Sequence, residues 1–124
     1  MAVVTPTAEQ PDVGIFLFTF TPLANGDTGA WIDVGPYSDV CFEVYGTFGA
    51  GGNLRLEGTN DTTSTPVAGS ILPVNDVNDT AINLTATRFK WVLESPQRLR
   101  FNVTAGDVTT ALTVKLRMTS MARR

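Results

Sequence analysis

A chain of 124 residues has the length of one domain and can bury a core without disulfides or metal. Charged residues make up only 17% against 43% hydrophobic, which excludes a disordered, solvating tail. One cysteine, Cys41, and no histidine exclude an internal disulfide, histidine-dependent triads and dyads, and histidine-ligated zinc.

Abundant threonine and scarce lysine favour strands over helices. Residues 1–12 are polar or small, hold Pro6 and Pro11, and are expected to form an extended arm outside the core. A single β domain over residues 13–124 follows. Its first strand is predicted at residues 13–21, closed by Pro22, and Asn25-Gly26 marks a turn. A second strand is expected at 30–34 and a third at 38–48, the latter alternating Val40, Phe42 and Val44 with Asp39, Cys41, Glu43 and Tyr45. Gly49–Gly52 then turns the chain into NLRLEGT, and the third and fourth strands read as a hairpin.

Polar loops follow at 60–65 and 75–79, with a short strand at 66–72 and alternation again at 80–87. In RFKWVLE (88–94) the expected inward set is Phe89, Trp91 and Leu93, with Arg88, Lys90 and Glu94 outward. In RLRFNVT (98–104) it is Leu99, Phe101 and Val103, with Arg98 and Arg100 outward. The last strand, 108–118, sets Leu112, Val114, Leu116 and Met118 inward. About eight strands at short spacing, with no helical period, predict an all-β antiparallel sandwich of jelly-roll-like form.

The net charge of −3 divides unevenly. Residues 1–87 carry ten acids and one base, a balance of −9, and residues 88–124 carry eight bases and two acids, a balance of +6. Either the strands interleave and mix these charges, or two surfaces of opposite sign steer copies together. Nucleic acid is not the expected partner, because the bases alternate with apolar residues instead of clustering. No apolar run approaches the roughly 20 residues of a membrane helix. The N-terminus lacks a basic region followed by an apolar run. The chain is therefore expected to be made and used in a reducing cytoplasm.

No motif carries a chemistry. Asp61, Asp76 and Asp79 sit among Asn and Thr oxygens without EF-hand spacing, and turn formation explains them better than calcium. Four N-x-T matches begin at Asn60, Asn78, Asn83 and Asn102, two of them inside predicted strands. Cys41 lacks an activating histidine and reads as an inert thiol. Asp33 with Asp39, or Glu43 with Glu57, are conceivable carboxylate pairs, though facing surface acids are common in sheets. Trp31 and Tyr37 are candidates for a sugar-stacking platform. No cofactor is implied.

GIFLFTF, residues 14–20, is the most telling stretch. Phe16, Phe18 and Phe20 take one face and Ile15, Leu17 and Thr19 the other, so both faces are apolar where a half-exposed strand should alternate. A subunit interface is the expected cover, with Ile15, Phe16, Leu17, Phe18 and Phe20 as its candidates.

The stretches VYGTFGAGGNLRLEGTND (44–61) and SPQRLRFNVTAGDVTTALTVKLRM (95–118) resemble small β-sandwich proteins of tailed bacteriophages, best known as capsid decoration or cement proteins. The resemblance covers about a third of the chain, and departs from the family at Ser64-Thr65-Pro66, where an aromatic is expected. It implies a structural, non-enzymatic virion protein on the outer head surface, made in the bacterial cytoplasm. Such a protein forms a homodimer or homotrimer and ties neighbouring subunits of the major capsid protein together. In that setting Arg98, Arg100, Arg123 and Arg124 are the candidate capsid contacts. Other virion parts, such as a head-fibre or tail module, and a carbohydrate-binding module remain the alternatives.

Overall fold

Alternation of apolar and polar residues underlies most of the long strands of the computed structural model, which describes residues 2–35, 37–94 and 96–120. In chain order the strands are β1 (Val3–Val4), β2 (Thr7–Asp12), β3 (Ile15–Leu23), β4 (Thr28–Gly29), β5 (Ile32–Asp33) and β6 (Tyr37–Thr47). They continue with β7 (Asn53–Thr59), β8 (Leu72–Pro73), β9 (Asn83–Leu84), β10 (Arg88–Trp91), β11 (Arg98–Ala105) and β12 (Ala111–Ser120). One short 3₁₀ turn, Ala68–Ser70, precedes β8.

The strands form two sheets. Sheet I runs β1-β4-β11-β7-β8, with β5 also on β11 and β9 also on β7. Sheet II runs β10-β6-β12-β3-β2. Among the described residues every pairing is antiparallel except β1 with β4. The sandwich core lies between the sheets. Sheet II contributes Phe20, Leu23, Phe42, Val44, Leu112, Val114, Leu116 and Met118, and sheet I answers with Leu54, Leu56, Leu99, Phe101 and Val103, all at most 1% exposed. Phe101 joins the layers, meeting Phe42 and Phe20 edge-on at 5.0 and 5.6 Å.

The all-β sandwich agrees with the sequence pattern, but the described residues hold twelve strands instead of about eight. Five of them are two-residue contacts, where a loop touches a ladder too briefly to leave a periodic signal. Strand β3 does not end at Pro22. It runs on to Leu23, which is fully buried.

The expected hairpin between the third and fourth strands is not formed. β6 lies in sheet II and β7 in sheet I, so residues 48–52 carry the chain across the sandwich. Both strands present alternating apolar residues, and they face each other through the core instead of pairing edge to edge. Gly46, near the end of β6 and still paired with Leu112, must be glycine: its φ is 114°, and a Cβ there would stand 2.5 Å from the Ala111 carbonyl oxygen. The crossing is anchored by Thr110 Oγ1 donating to Phe48 O at 2.8 Å and by the Ala50 amide donating to Asp107 at 2.8 Å.

Residues 1–12 are not a free arm. Among residues 2–12, all of β2 is exposed, yet it pairs with β3 in register from Thr7↔Thr19 to Asp12↔Ile15, while β1 pairs with β4 and its Val4 packs against the core. Polar composition hid an edge strand, since such a strand buries neither face.

Candidate functional site

The outer face of sheet II can be read directly from the register, because residues opposite one another share a face. One row crosses all five strands as Thr7, Thr19, Lys115, Glu43 and Phe89. The next crosses as Glu9, Leu17, Arg117, Cys41 and Trp91. A shorter row holds Asp12, Ile15, Thr119 and Ser38. The face is therefore charged across its middle and aromatic at its β10 edge, where Phe89 is 74% and Trp91 53% exposed. Leu93 and Tyr45 add further exposed apolar surface.

This arrangement inverts the reading of RFKWVLE. Phe89 and Trp91 face out, while Lys90 lies across from buried Phe42 on the inner side. Lys90 is tolerated there because its Nζ reaches the buried Asp76 carboxylate at 2.7 Å. That hydrogen bond, with the Asn78 and Thr80 amides, holds the Asp76 carboxyl below its ordinary pKa against the opposing effect of desolvation. Adjacent Val92 and Leu93 give either parity an apolar member, so alternation alone did not fix the strand's sides. A signal was present in Asp76, an acid able to receive an inward lysine.

The five residues expected as a self-interface divide by face. Phe20 has no exposed surface, Phe18 packs against the core, and Phe16 meets Tyr37 edge-on at 5.2 Å, so the chain itself covers the phenylalanine face. Ile15 and Leu17 do lie on the outer face, half-buried between the side chains of Asp12 and Thr119 and of Glu9 and Arg117. Cys41 is also half-buried there. Burial pushes its thiol up, with Arg117 pulling the other way.

Sheet I turns a polar face outward. Glu57, only 5% exposed, accepts from Arg100 Nε at 2.9 Å and Asn102 Nδ2 at 3.2 Å, with Arg55 Nε at 3.3 Å. Arg55 Nε meets Glu57 at ion-pair distance without hydrogen-bond geometry. Arg100 also lies 4.7 Å over the Trp31 ring. Residues 60–73 are tied back beside this face. Arg98 donates to Asp33 and to the Thr62 and Thr63 carbonyls, and Thr59 Oγ1 meets Ser70 Oγ at 2.7 Å. Asp61 accepts from the Val67 and Thr63 amides and the Thr63 hydroxyl, which depress its pKa. It serves as a turn cap.

Of the expected capsid contacts, Arg98 is thus engaged within the chain, Arg100 is partly so, and Arg123 and Arg124 lie outside the described residues. Trp31 and Tyr37 do not form one platform: Trp31 stands with Arg100 on the outside of sheet I, and Tyr37 packs against the core from sheet II. The conceivable carboxylate pairs are separated as well. Glu43 and Glu57 point out of opposite sheets, and Asp33 belongs to sheet I while Asp39 belongs to sheet II.

No family model matches the chain, and no curated protein matches it in sequence. Among solved structures, the SPBc2 prophage-derived protein YomS is similar, with a TM-score of 0.58 at 16% identity over 86% of this chain and 95% of that one. Protein NMB1881 from Neisseria meningitidis aligns over 93% of this chain and 82% of that one, with a TM-score of 0.44 at 10% identity, too loose to carry an inference. The likeness to YomS establishes a shared fold.

Proposed function

We propose that this chain is a structural protein of a bacteriophage particle, one that associates with copies of itself and clamps neighbouring capsid subunits on the outer head surface. The observation that carries this reading is the outer face of sheet II, with exposed Phe89 and Trp91 at its β10 edge and half-buried Leu17 and Ile15 on β3, across the strands β6 and β12. Exposed aromatics at one edge of a sheet face whose middle carries Lys115, Arg117 and Glu43 offer a second copy both apolar and charged contacts. Its size suits the role. Its five strands, of 4, 11, 10, 9 and 6 residues at about 3.3 Å each and about 4.8 Å apart, cover roughly 630 Å², against the ~800 Å² that each partner contributes to a stable interface. Sharing a fold with a prophage-derived protein supports the phage setting. The test is co-sedimentation with purified heads lacking the protein. Saturable binding at a fixed ratio to capsid subunits is expected, and recovery only in the supernatant at all concentrations would refute the capsid assignment.

A further inference from the structure

A groove of about 330 Å³ opens on the outside of sheet I, away from the face just described. Val3, Pro66 and Ile71 form apolar walls, Trp31 contributes an aromatic surface, and Ser64 and Thr65 supply hydroxyls. Its cation is Arg100. The guanidinium is held by Nε on Glu57 and by the ring of Trp31, and among the described residues no acceptor bonds its two terminal nitrogens. Arg55 and Arg100 exceed Glu57 by one charge on this side, and Asp33 and Asp61 exceed Arg98 by one on the other, so the attraction for an anion rests on the open fork of Arg100 and not on net charge. The opposite wall is fixed in advance by the hydrogen bonds of Arg98, Asp61 and Ser70, so a ligand need not order it.

From these features we infer that the groove binds a short acidic peptide segment of a partner protein, an apolar residue packing among Val3, Pro66 and Ile71 while a neighbouring carboxylate takes the free fork of Arg100. An ion pair with an arginine preoriented by a second contact is a strong, directional hydrogen bond. The volume lies at the low end for ligand clefts, roughly 300–1,000 Å³, which fits one or two side chains better than a large cofactor. A single available cation suits a carboxylate and not a polyanionic backbone. The inference goes beyond the capsid reading and does not require it.

The test uses the full chain, ¹⁵N-labelled, and three degenerate nonapeptide pools with glutamate, glutamine or lysine fixed at the centre. Titration of the glutamate pool is expected to shift the Trp31 indole and Val3 amide resonances saturably, with at least tenfold weaker response to the lysine pool. Thr65 is exposed at the rim and its side chain holds nothing in place. Thr65→Glu should weaken the glutamate response about tenfold and Thr65→Lys should strengthen it. No shift at Trp31 and Val3, an equal response to all three pools, or a response confined to Phe89 and Trp91 would overturn the inference. The last two outcomes leave self-association and capsid binding untouched, so the readings fail separately.

Discussion

Phe89→Ala and Phe101→Ala make the same chemical change on the two sides of the sandwich wall. Phe101 is 1% exposed and bridges the sheets, so its truncation is expected to cost about 3–5 kcal/mol. Phe89 is 74% exposed, so about a quarter of an aromatic surface of roughly 200 Å² is covered. At ~25 cal/mol/Å² that is about 1.3 kcal/mol, an upper bound given residual burial in the unfolded chain. With ~2.1 cal/mol/K per residue over 124 residues, 1 kcal/mol shifts Tm by about 4 °C. The expected losses are therefore at most about 5 °C for Phe89→Ala and roughly 12–19 °C for Phe101→Ala. Calorimetry at low and high protein concentration separates folding from association, because an oligomer gains stability with concentration. Comparable losses at both positions in the dilute sample would refute the outward orientation of β10, and with it the aromatic edge of the proposed surface.

Three further outcomes are expected. Asp61, Asp76 and Asp107 are held below their ordinary pKa by the Val67 amide, the Lys90 ammonium and the Thr109 hydroxyl respectively, so they stabilise the fold while ionised. That contribution is present above the unfolded value near ~3.9 and is lost as pH falls through the lower folded values, so Tm should drop below about pH 4, and a Tm that rises there would contradict it. Arg98→Ala should speed hydrogen exchange at the Thr63 and Val67 amides while leaving β6 protected, at a cost of about 1 kcal/mol, since its Asp33 partner is exposed. Deleting residues 1–12 should lower Tm and promote aggregation by baring the long β3 edge, and a deletion variant of full stability and unchanged solubility would show that β2 pairing contributes nothing.

The long strands were legible because each buries one face. Val40, Phe42 and Val44, then Leu99, Phe101 and Val103, then Leu112, Val114, Leu116 and Met118, all point inward as alternation requires. Alternation was silent on partners: nothing local distinguishes β6 and β7 as a hairpin from β6 and β7 as opposite walls. It also failed at both edges of sheet II. β2 has no buried face to pattern, and β10 has apolar residues on one parity with a lysine on the other that Asp76, distant in sequence, makes tolerable inside. The candidate surface was half legible. Ile15 and Leu17 were found from the doubled hydrophobicity of β3, whereas Phe89 and Trp91 were assigned to the core by the same rule that worked elsewhere. The groove beside Trp31 could not have been read at all, since Val3, Trp31, Pro66 and Arg100 meet only through the pairing of β1 with β4 and the return of residues 60–73.

The most direct test of the account is the solution mass of the intact chain, by light scattering after gel filtration, beside a Phe89→Ser/Trp91→Ser variant. A discrete dimer or trimer that the double substitution reduces to a folded monomer is the predicted result. A wild-type chain that stays monomeric at tens of micromolar, or an oligomer indifferent to both substitutions, would contradict the claim that the outer face of sheet II is where copies meet.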